Sequence, residues 1–347
     1  MSLVRAMVTI NFSAPGKGAH EVWMVLLVVA LGLAVAAVLQ RTLAALVVRR
    51  ADRRWPPEGS LVDVSGVRLH VIDRRPIRGS AEKPPVVLLH GSNGFVQDWT
   101  MSILDRLVED EGHRTIAFDR AGSGHSGRPR VQLDAAVHLR LIRAALRELR
   151  IERPVVVGHS FSGAVVLRWA VEDPEELAGV VHVAGVAFGA EPPSRLPIGA
   201  RALVALYSWT FPLLLPYARR FTLRTLVPAF APKPVSPEYL RAAQDLWTRP
   251  KQFRAAIEDQ MFTSRGLSEL APRYGAIKVP LAIVASDGDR HVPRAANADR
   301  LAAAVPGARL IDASPFGHDI PHVNPEPVLE AIRWVVQQAN RVSIDRP

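Results

Sequence analysis

Short apolar runs alternate with amphipathic helical patterns along most of the chain. The runs are too uniformly apolar for strands with one face in water, which is typical of strands buried inside a parallel sheet. They lie at residues 86–90, 115–119, 155–158, 180–184, 281–285 and 309–312, with helical patterns at 133–149, 164–171, 295–304 and 328–339. This alternation predicts an α/β fold whose mostly parallel sheet is covered by helices on both faces.

Two stretches depart from this alternation. Residues 61–73 alternate on both sides of Ser65-Gly66, which predicts a β-hairpin. Residues 188–273 contain no buried-strand run, but they hold apolar helical pieces interrupted by proline, at 200–221 and 236–247. The sequence therefore predicts an inserted helical cap over 188–273, between two parts of a core at 61–187 and 274–340.

An uncharged apolar segment precedes the predicted core. Residues 22–39 carry no charge, and as a helix they would extend about 27 Å, close to the roughly 30 Å of a bilayer's hydrocarbon core. The apolar pattern continues to residue 48. We expect a tail at 1–21, a transmembrane or anchor helix at 22–48 and a linker at 49–60.

The charges around this segment predict its orientation. Four arginines lie between residues 49 and 54, whereas only Arg5 and Lys17 precede the segment. By the positive-inside rule, a single-pass membrane protein with a cytoplasmic catalytic domain is expected. A cleaved signal peptide with Ala34-Val35-Ala36 as its processing site, followed by export, is the alternative. Two further interpretations of this segment are an interfacial helix and a mis-assigned start codon.

Composition and charge exclude several functions. The 347 residues include no Cys, which rules out disulfides, thiolate metal sites and a cysteine nucleophile, and 48% are apolar, enough for a large core. The net charge of +10 is uneven: residues 1–60 carry +4 and residues 187–273 carry +6, while the rest is balanced. Positive and negative charges are nearly equal in number in the predicted core, and the sequence has no recognised nucleic-acid-binding motif. No nucleic-acid partner is therefore expected.

The run at 155–158 leads directly into Gly158-His159-Ser160-Phe161-Ser162-Gly163 and then into a helical pattern. A serine on a tight turn from strand to helix projects away from the sheet at the positive end of the helix, where backbone N–H groups can stabilise an oxyanion. Small residues are needed around it because the turn packs closely on itself. Ser160 is therefore a candidate nucleophile.

This segment resembles the nucleophile elbow of the α/β-hydrolase superfamily, in particular its capped serine-hydrolase members, which include esterases and lipases. The resemblance covers about residues 61–340. Ser162 departs from the family pattern G-x-S-x-G, since it places a small hydroxylated residue where glycine is usual. The resemblance implies an α/β-hydrolase fold and acyl chemistry at Ser160.

Two upstream motifs support the resemblance. His90-Gly91-Ser92-Asn93-Gly94 looks like the family's oxyanion loop, which implies the backbone N–H groups of Ser92 and Phe161 as oxyanion donors. The segment from Asp119 to Ser126 resembles the family's D-x-x-G-x-G-x-S turn, to which we assign a structural and no catalytic role.

Two downstream motifs supply the acid and the base. Asp289 follows the run 281–285 with the spacing D-x-x-V-P of the family's acid, and Asp287 is its rival. His318 matches the histidine of the family's final motif, and His322 is the alternative. These two histidines could also suggest a metal site, but Pro321 between them and the lack of a nearby Glu argue against it.

The resemblance implies an order of Ser160, Asp289 and His318 that is typical of this fold, with no metal and no organic cofactor. Relatives that open epoxides or displace halide use Asp as the nucleophile, so acyl chemistry on an ester, lactone or thioester remains. A carboxylic ester of an apolar small molecule or lipid is the expected substrate. C–C bond hydrolysis, cofactor-free perhydrolysis and a catalytically silent binding protein are alternatives. The basic, aromatic-rich cap is expected either to pack internally or to rest on an anionic bilayer.

Overall fold

The computed structural model describes residues 17–76 and 83–344 of the chain. The chain divides into an N-terminal unit that ends at Val47 and a second unit that begins at Val48. Most of the predicted tail at 1–21 lies outside the described residues.

Helix α1, Lys17–Arg54, is longer than the predicted segment 22–48 at both ends. The prediction of a linker from residue 49 was wrong in its first half, because the helix continues to Arg54. Two features explain the extension: Ala51 is buried, and the carboxylate of Asp52 is paired with Arg249 at 2.8 Å. Pro56 and Pro57 follow, and proline is poorly tolerated inside a helix.

Eight strands in the described residues form one sheet, in the order β1-β2-β4-β3-β5-β6-β7-β8. The first two form the predicted hairpin, and β2 also pairs antiparallel with β4. All other pairings are parallel. The strands are β1 Ser60–Val64, β2 Val67–Arg74, β3 Val86–Leu89, β4 Thr115–Phe118, β5 Val155–His159, β6 Gly179–Val183, β7 Leu281–Ala285 and β8 Arg309–Asp312.

Helices cover both faces of this sheet, as the uniformly apolar strands require. One apolar core holds α4 and α5 against the sheet, and a second holds α3 and α12 against the opposite face. The helices outside the cap are α2 Gln97–Thr100, α3 Leu104–Glu109, α4 Ala135–Glu148, α5 Ser162–Glu172, α10 Ala298–Ala304, α11 Ile320–Val323 and α12 Glu326–Ile344, with a short 3-10 helix at Pro174–Glu176. The fold is the α/β-hydrolase fold.

The segment between β6 and β7 is helical. It contains α6 Ile198–Phe230, α7 Pro237–Leu246, α8 Pro250–Phe262, α9 Leu267–Leu270 and a 3-10 helix at Ala271–Ala276. The sequence predicted separate helical pieces, but α6 is one helix of 33 residues that includes Pro212, Pro216 and Pro228. Buried Tyr207 and Leu226 pack on either side of the first two prolines and hold the helix together.

Candidate active site

Ser160 lies on the turn between β5 and α5, at the carboxyl edge of the sheet. Its φ of +54° is in the left-handed region, which a non-glycine residue adopts only when its surroundings impose it. A Cβ at Gly158 would lie 2.5 Å from the carbonyl oxygen of Ser162, so the turn leaves no room for a side chain there. The close packing expected of this segment is therefore present.

A continuous hydrogen-bond relay joins three of the predicted residues. Nε2 of His318 lies 2.8 Å from Oγ of Ser160, and Nδ1 of His318 lies 2.7 Å from Oδ2 of Asp289. The two alternative residues, Asp287 and His322, do not belong to this relay. The side chain of Asp287 is 76% exposed and faces Arg294, and the ring of His322 packs on Phe230 and Tyr239.

The contacts within the relay also shift the pKa values of His318 and Asp289. Burial alone would lower the pKa of His318, but the hydrogen bond and negative charge of Asp289 outweigh burial and raise that pKa above its ordinary 6.5. Burial would raise the pKa of Asp289, yet His318 and the backbone N–H groups of His291 and Val292 hold it below its usual range. Asp289 is thus an ionised acceptor for the imidazole.

Asp289, His291 and His318 are also a group that could hold a metal ion, since their ligating atoms lie within 4.8 Å of one another. Both ring nitrogens of His318 already face hydrogen-bond partners, Ser160 and Asp289. A metal ion at this point would have to break the relay. The donor set therefore suits a proton relay better than a resident metal.

The predicted oxyanion loop lies beside Ser160. A Cβ at Gly91 would lie 2.8 Å from the Cβ of Ser160, so glycine allows this close approach. In the described residues, the backbone N–H groups of Ser92 and Phe161 donate to no other protein group. Both residues line the same cavity as Ser160.

Ser162, the residue that departs from the family pattern, makes a contact that glycine could not make. Its hydroxyl donates to the carbonyl oxygen of His90 over 2.6 Å. The hydroxylated residue therefore ties the elbow to the oxyanion loop.

Asp119 organises the turn that follows β4. Its buried carboxylate accepts hydrogen bonds from the backbone N–H groups of Val96 and His125, at 2.8 and 2.7 Å, and from Nδ1–H of His70. These contacts hold the segment that follows residues 90–94 and the turn at His125 in place.

Two further groups near the site were missed by sequence reasoning. Arg120 donates to the carbonyl oxygens of His90 and Gly91, at 3.0 and 2.7 Å, and is paired with Asp259 of α8. His159 donates from Nε2 to the carbonyl oxygen of His318 over 3.0 Å, and burial lowers the pKa of His159 to about 3. Only the position of His159 beside Ser160 could have indicated it.

A cavity of about 840 Å³ opens onto Ser160. Its wall combines the oxyanion loop with one face of α6 and parts of α7 and α8. The apolar part of the lining includes Phe161, Val186, Leu214, Phe221, Leu226, Trp247, Phe253 and Ile257. This volume is in the range of cavities that hold small molecules, and its lining suits an apolar one.

A sequence model of the α/β hydrolase fold family matches residues 84–325. This chain belongs to the α/β hydrolase fold family.

The individual relatives have low sequence identity to this chain. A 2-hydroxy-6-oxononadienedioate/2-hydroxy-6-oxononatrienedioate hydrolase of a Pseudomonas species is 25% identical over 240 residues, 67% of this chain and 81% of that protein. An uncharacterised protein of Mycobacterium bovis is 29% identical over 151 residues, 41% of this chain and 42% of its own length. The chain therefore matches less than half of that relative.

Solved structures share the fold. An α/β hydrolase fold protein from Burkholderia ambifaria has a TM-score of 0.64 at 25% identity, and the match covers 79% of this chain and 96% of that one. A membrane phospholipase A has a TM-score of 0.63 at 17% identity, with 92% and 99% covered. The second likeness concerns the fold alone.

Proposed function

We propose that this protein is a serine hydrolase that cleaves carboxylic esters of apolar small molecules or lipids. The observation that carries the proposal is the relay from Ser160 through His318 to Asp289, beside a largely apolar cavity. A serine hydroxyl is a weak nucleophile at neutral pH, and a base within hydrogen-bond reach is what activates it.

The geometry supports the following sequence of steps. Oγ of Ser160 attacks the ester carbonyl carbon while Nε2 of His318 takes the hydroxyl proton, a contribution of about 10² to 10⁴ in rate. Asp289 orients the imidazole and stabilises its cation. The N–H groups of Ser92 and Phe161 bind the oxyanion. The alcohol then leaves with the proton from His318, and an acyl-enzyme ester remains.

Deacylation repeats these steps with water. His318 takes a proton from the water as its oxygen attacks the acyl carbon, and the carboxylic acid leaves when Ser160 regains its proton. No other group is required for the balance of atoms and charge.

The second candidate is hydrolysis of a C–C bond. The Pseudomonas relative bears the name of a dienedioate hydrolase, and such chemistry can use the same three side chains. A perhydrolase of the same fold is a further variant.

The test is covalent labelling by a fluorophosphonate, followed by hydrolysis of p-nitrophenyl esters from acetate to decanoate. We expect labelling and turnover by the wild type, none by Ser160→Ala, and both by Ser102→Ala, a control outside the cavity lining. Absence of labelling in the wild type would contradict the proposal and favour a silent binding protein. Labelling with turnover of a C–C substrate but of no ester would favour the second candidate.

We also propose that α1 anchors the protein in a membrane as a single pass, with the second unit, which begins at Val48 and is called the catalytic unit below, in the cytoplasm. Residues 20–54 are long and apolar enough to cross a bilayer. All large apolar side chains from Val22 to Leu33 are more than half exposed, an arrangement that lipid stabilises and water does not. The arginine excess after this segment favours a cytoplasmic carboxyl side.

The absence of Cys makes the orientation testable with single cysteines. We expect the full chain to resist carbonate extraction from membranes. In intact cells, an impermeant maleimide should label Ser13→Cys and spare Val131→Cys, an exposed position of the catalytic unit. The opposite pattern would reverse the orientation, and a soluble exported protein without its first residues would favour the signal peptide.

The outer face of α6 supports contact between the cap and an anionic bilayer. Its exposed apolar side chains outside the cavity lining include Ile198, Leu203, Leu206, Trp209, Leu213, Leu223 and Val227. Arg220 and Arg224 lie on the same helix, whereas Arg219 is paired with Asp245. Apolar and basic side chains together are typical of interfacial helices.

An environment-sensitive dye on Leu206→Cys tests this contact in the full chain. We expect a blue shift in vesicles that contain phosphatidylserine, a smaller shift in neutral vesicles, and a loss of that difference in Arg220→Glu/Arg224→Glu. The same dye on Val131→Cys is the control. Equal emission at both positions in every vesicle would contradict the contact.

A further inference from the structure

The charged side chains that line the cavity are all acidic or histidine. Among the described residues of the lining, none is Lys or Arg. The ionisable side chains other than tyrosines are Asp98, His159, His291, His318 and Asp319. A cavity with this wall favours neutral and positive ligands over negative ones.

Asp319 supplies one of the two carboxyl groups in this lining. It directly follows His318, and its backbone N–H donates to the carbonyl oxygen of Ala229 in α6 over 2.9 Å, which fixes its position. Within the described residues, its carboxylate has neither a hydrogen-bond donor nor an ion-pair partner. Burial raises the pKa of Asp319 to about 6, so the carboxylate is still ionised at pH 8.

Asp98 adds a second carboxyl group to the same wall. Its Oδ1 accepts a hydrogen bond from the hydroxyl of Tyr239 over 2.9 Å, and Asp98 and Tyr239 are both buried. Burial and the negative charge of Asp319 raise the pKa of Asp98 well above its usual range. The two carboxyl groups therefore act on each other. No Lys or Arg of the lining offsets them, and only His318 acts to lower the pKa of Asp319.

Basic side chains on the elements around the cavity are directed elsewhere. Arg120 is fully buried and shared between Asp259 and backbone carbonyl oxygens. The exposed arginines Arg220 and Arg224 lie on α6 but do not line the cavity. The cap is thus basic as a whole, whereas the largely apolar cavity that it covers has two carboxyl groups and neither Lys nor Arg in its lining.

We propose that the cavity accepts esters that are neutral or cationic, rejects esters with a negative charge on the part that enters it, and owes this preference chiefly to Asp319. The inference rests on the proposed ester hydrolysis and narrows its substrate class. It also argues against the second candidate function, because the Pseudomonas relative is named for a dioate, which is an anion. A unit charge a few ångströms from Asp319, out of bulk water, changes affinity by about tenfold or more.

The experiment uses three p-nitrophenyl hexanoates of the same chain length, with methyl, trimethylammonium or carboxylate at the far end. At pH 8, we measure kcat/KM of the full-length wild type, Asp319→Asn, Asp98→Asn and Asp287→Asn. Asp287→Asn is the matched control, since it removes the same charge from an exposed side chain outside the cavity lining. Calorimetry with the corresponding p-nitroanilides and Ser160→Ala measures binding without turnover.

We expect the wild type to disfavour the carboxylate ester at least about tenfold against the methyl ester. Asp319→Asn should reduce that ratio by about tenfold, Asp98→Asn by less, and Asp287→Asn should leave it unchanged. Equal kcat/KM for the carboxylate and methyl esters would overturn the inference, as would a ratio that survives in both Asp319→Asn and Asp98→Asn.

The binding arm separates this inference from the proposed function. If no ester is hydrolysed but the anilides bind in the order cationic or neutral above anionic, ester hydrolysis fails and the charge preference stands. If all three anilides bind equally, the charge preference is overturned whatever the rates are.

Discussion

The guanidinium of Arg120 and the carboxylate of Asp259 form a buried ion pair that joins the turn after β4 to α8 of the cap. Their Nη2 and Oδ2 atoms lie 2.5 Å apart, and both side chains are at most 1% exposed. Because Arg120 also donates to the carbonyl oxygens of His90 and Gly91, one side chain holds the cap and the oxyanion loop together.

Removing one partner of this pair should be costly. We expect Arg120→Met to lower the free energy of unfolding by about 3 to 5 kcal/mol, because the buried charge of Asp259 would keep only His138, at 3.8 Å, as a partner. Urea denaturation followed by circular dichroism measures it. Arg120→Met/Asp259→Leu should recover part of the loss, whereas Arg309→Met, from an exposed pair, should cost less than about 1 kcal/mol. Similar losses for the two single variants would contradict this role.

The choice between two neighbouring aspartates can be decided by a matched pair of variants. Asp289→Asn should lower kcat by about 10³ to 10⁴, because the amide cannot hold the imidazole in the required tautomer. Asp287→Asn, at an exposed side chain paired with Arg294, should lower kcat less than about twofold. The measurement is ester hydrolysis with both variants shown to be folded. A larger loss in Asp287→Asn would reverse the assignment.

The pH dependence of kcat/KM should report His318. The proposed hydrolysis needs the neutral imidazole of His318, whose pKa is raised above 6.5, so activity should fall with decreasing pH around a midpoint above 6.5. Loss of the charge of Asp289 should move the midpoint to lower pH. Rates of wild type and Asp289→Asn from pH 5 to 9 on an uncharged ester measure this. A wild-type midpoint well below 6.5 would contradict the raised pKa.

The sheet and the relay could be predicted because their signals are local in the sequence. Each buried strand is a short apolar run, and Ser160, Asp289 and His318 each follow such a run or the loop behind it, so the parallel sheet brings them to one edge. The family resemblance then indicated which serine, aspartate and histidine to choose.

The remaining contacts of the site join residues that are far apart in the sequence and close only in the folded structure. Asp259 lies 139 residues after Arg120, and Tyr239 lies 141 residues after Asp98, so no local pattern joins them. The prolines of α6 predicted breaks in the helix for a related reason. Only the folded structure shows that Tyr207 and Leu226 are buried on either side of the first two prolines and keep the helix continuous.

The loop of residues 90–94 approaches Ser160 closely at Gly91. A Cβ at Gly91 would lie 2.8 Å from the Cβ and 3.4 Å from the Oγ of Ser160, and 3.2 Å from Nδ1 of His159. We therefore expect Gly91→Ala to push the loop away from Ser160 and to lower kcat/KM by at least about tenfold, because misplaced oxyanion donors lose much of their effect. Ester hydrolysis and thermal unfolding should be measured together with Gly275→Ala, where the nearest atom to a new Cβ is 3.5 Å away. Gly275→Ala should retain its activity. A Gly91→Ala protein with wild-type kcat/KM would show that the loop can move aside without cost, and that the Ser92 N–H is not an oxyanion donor.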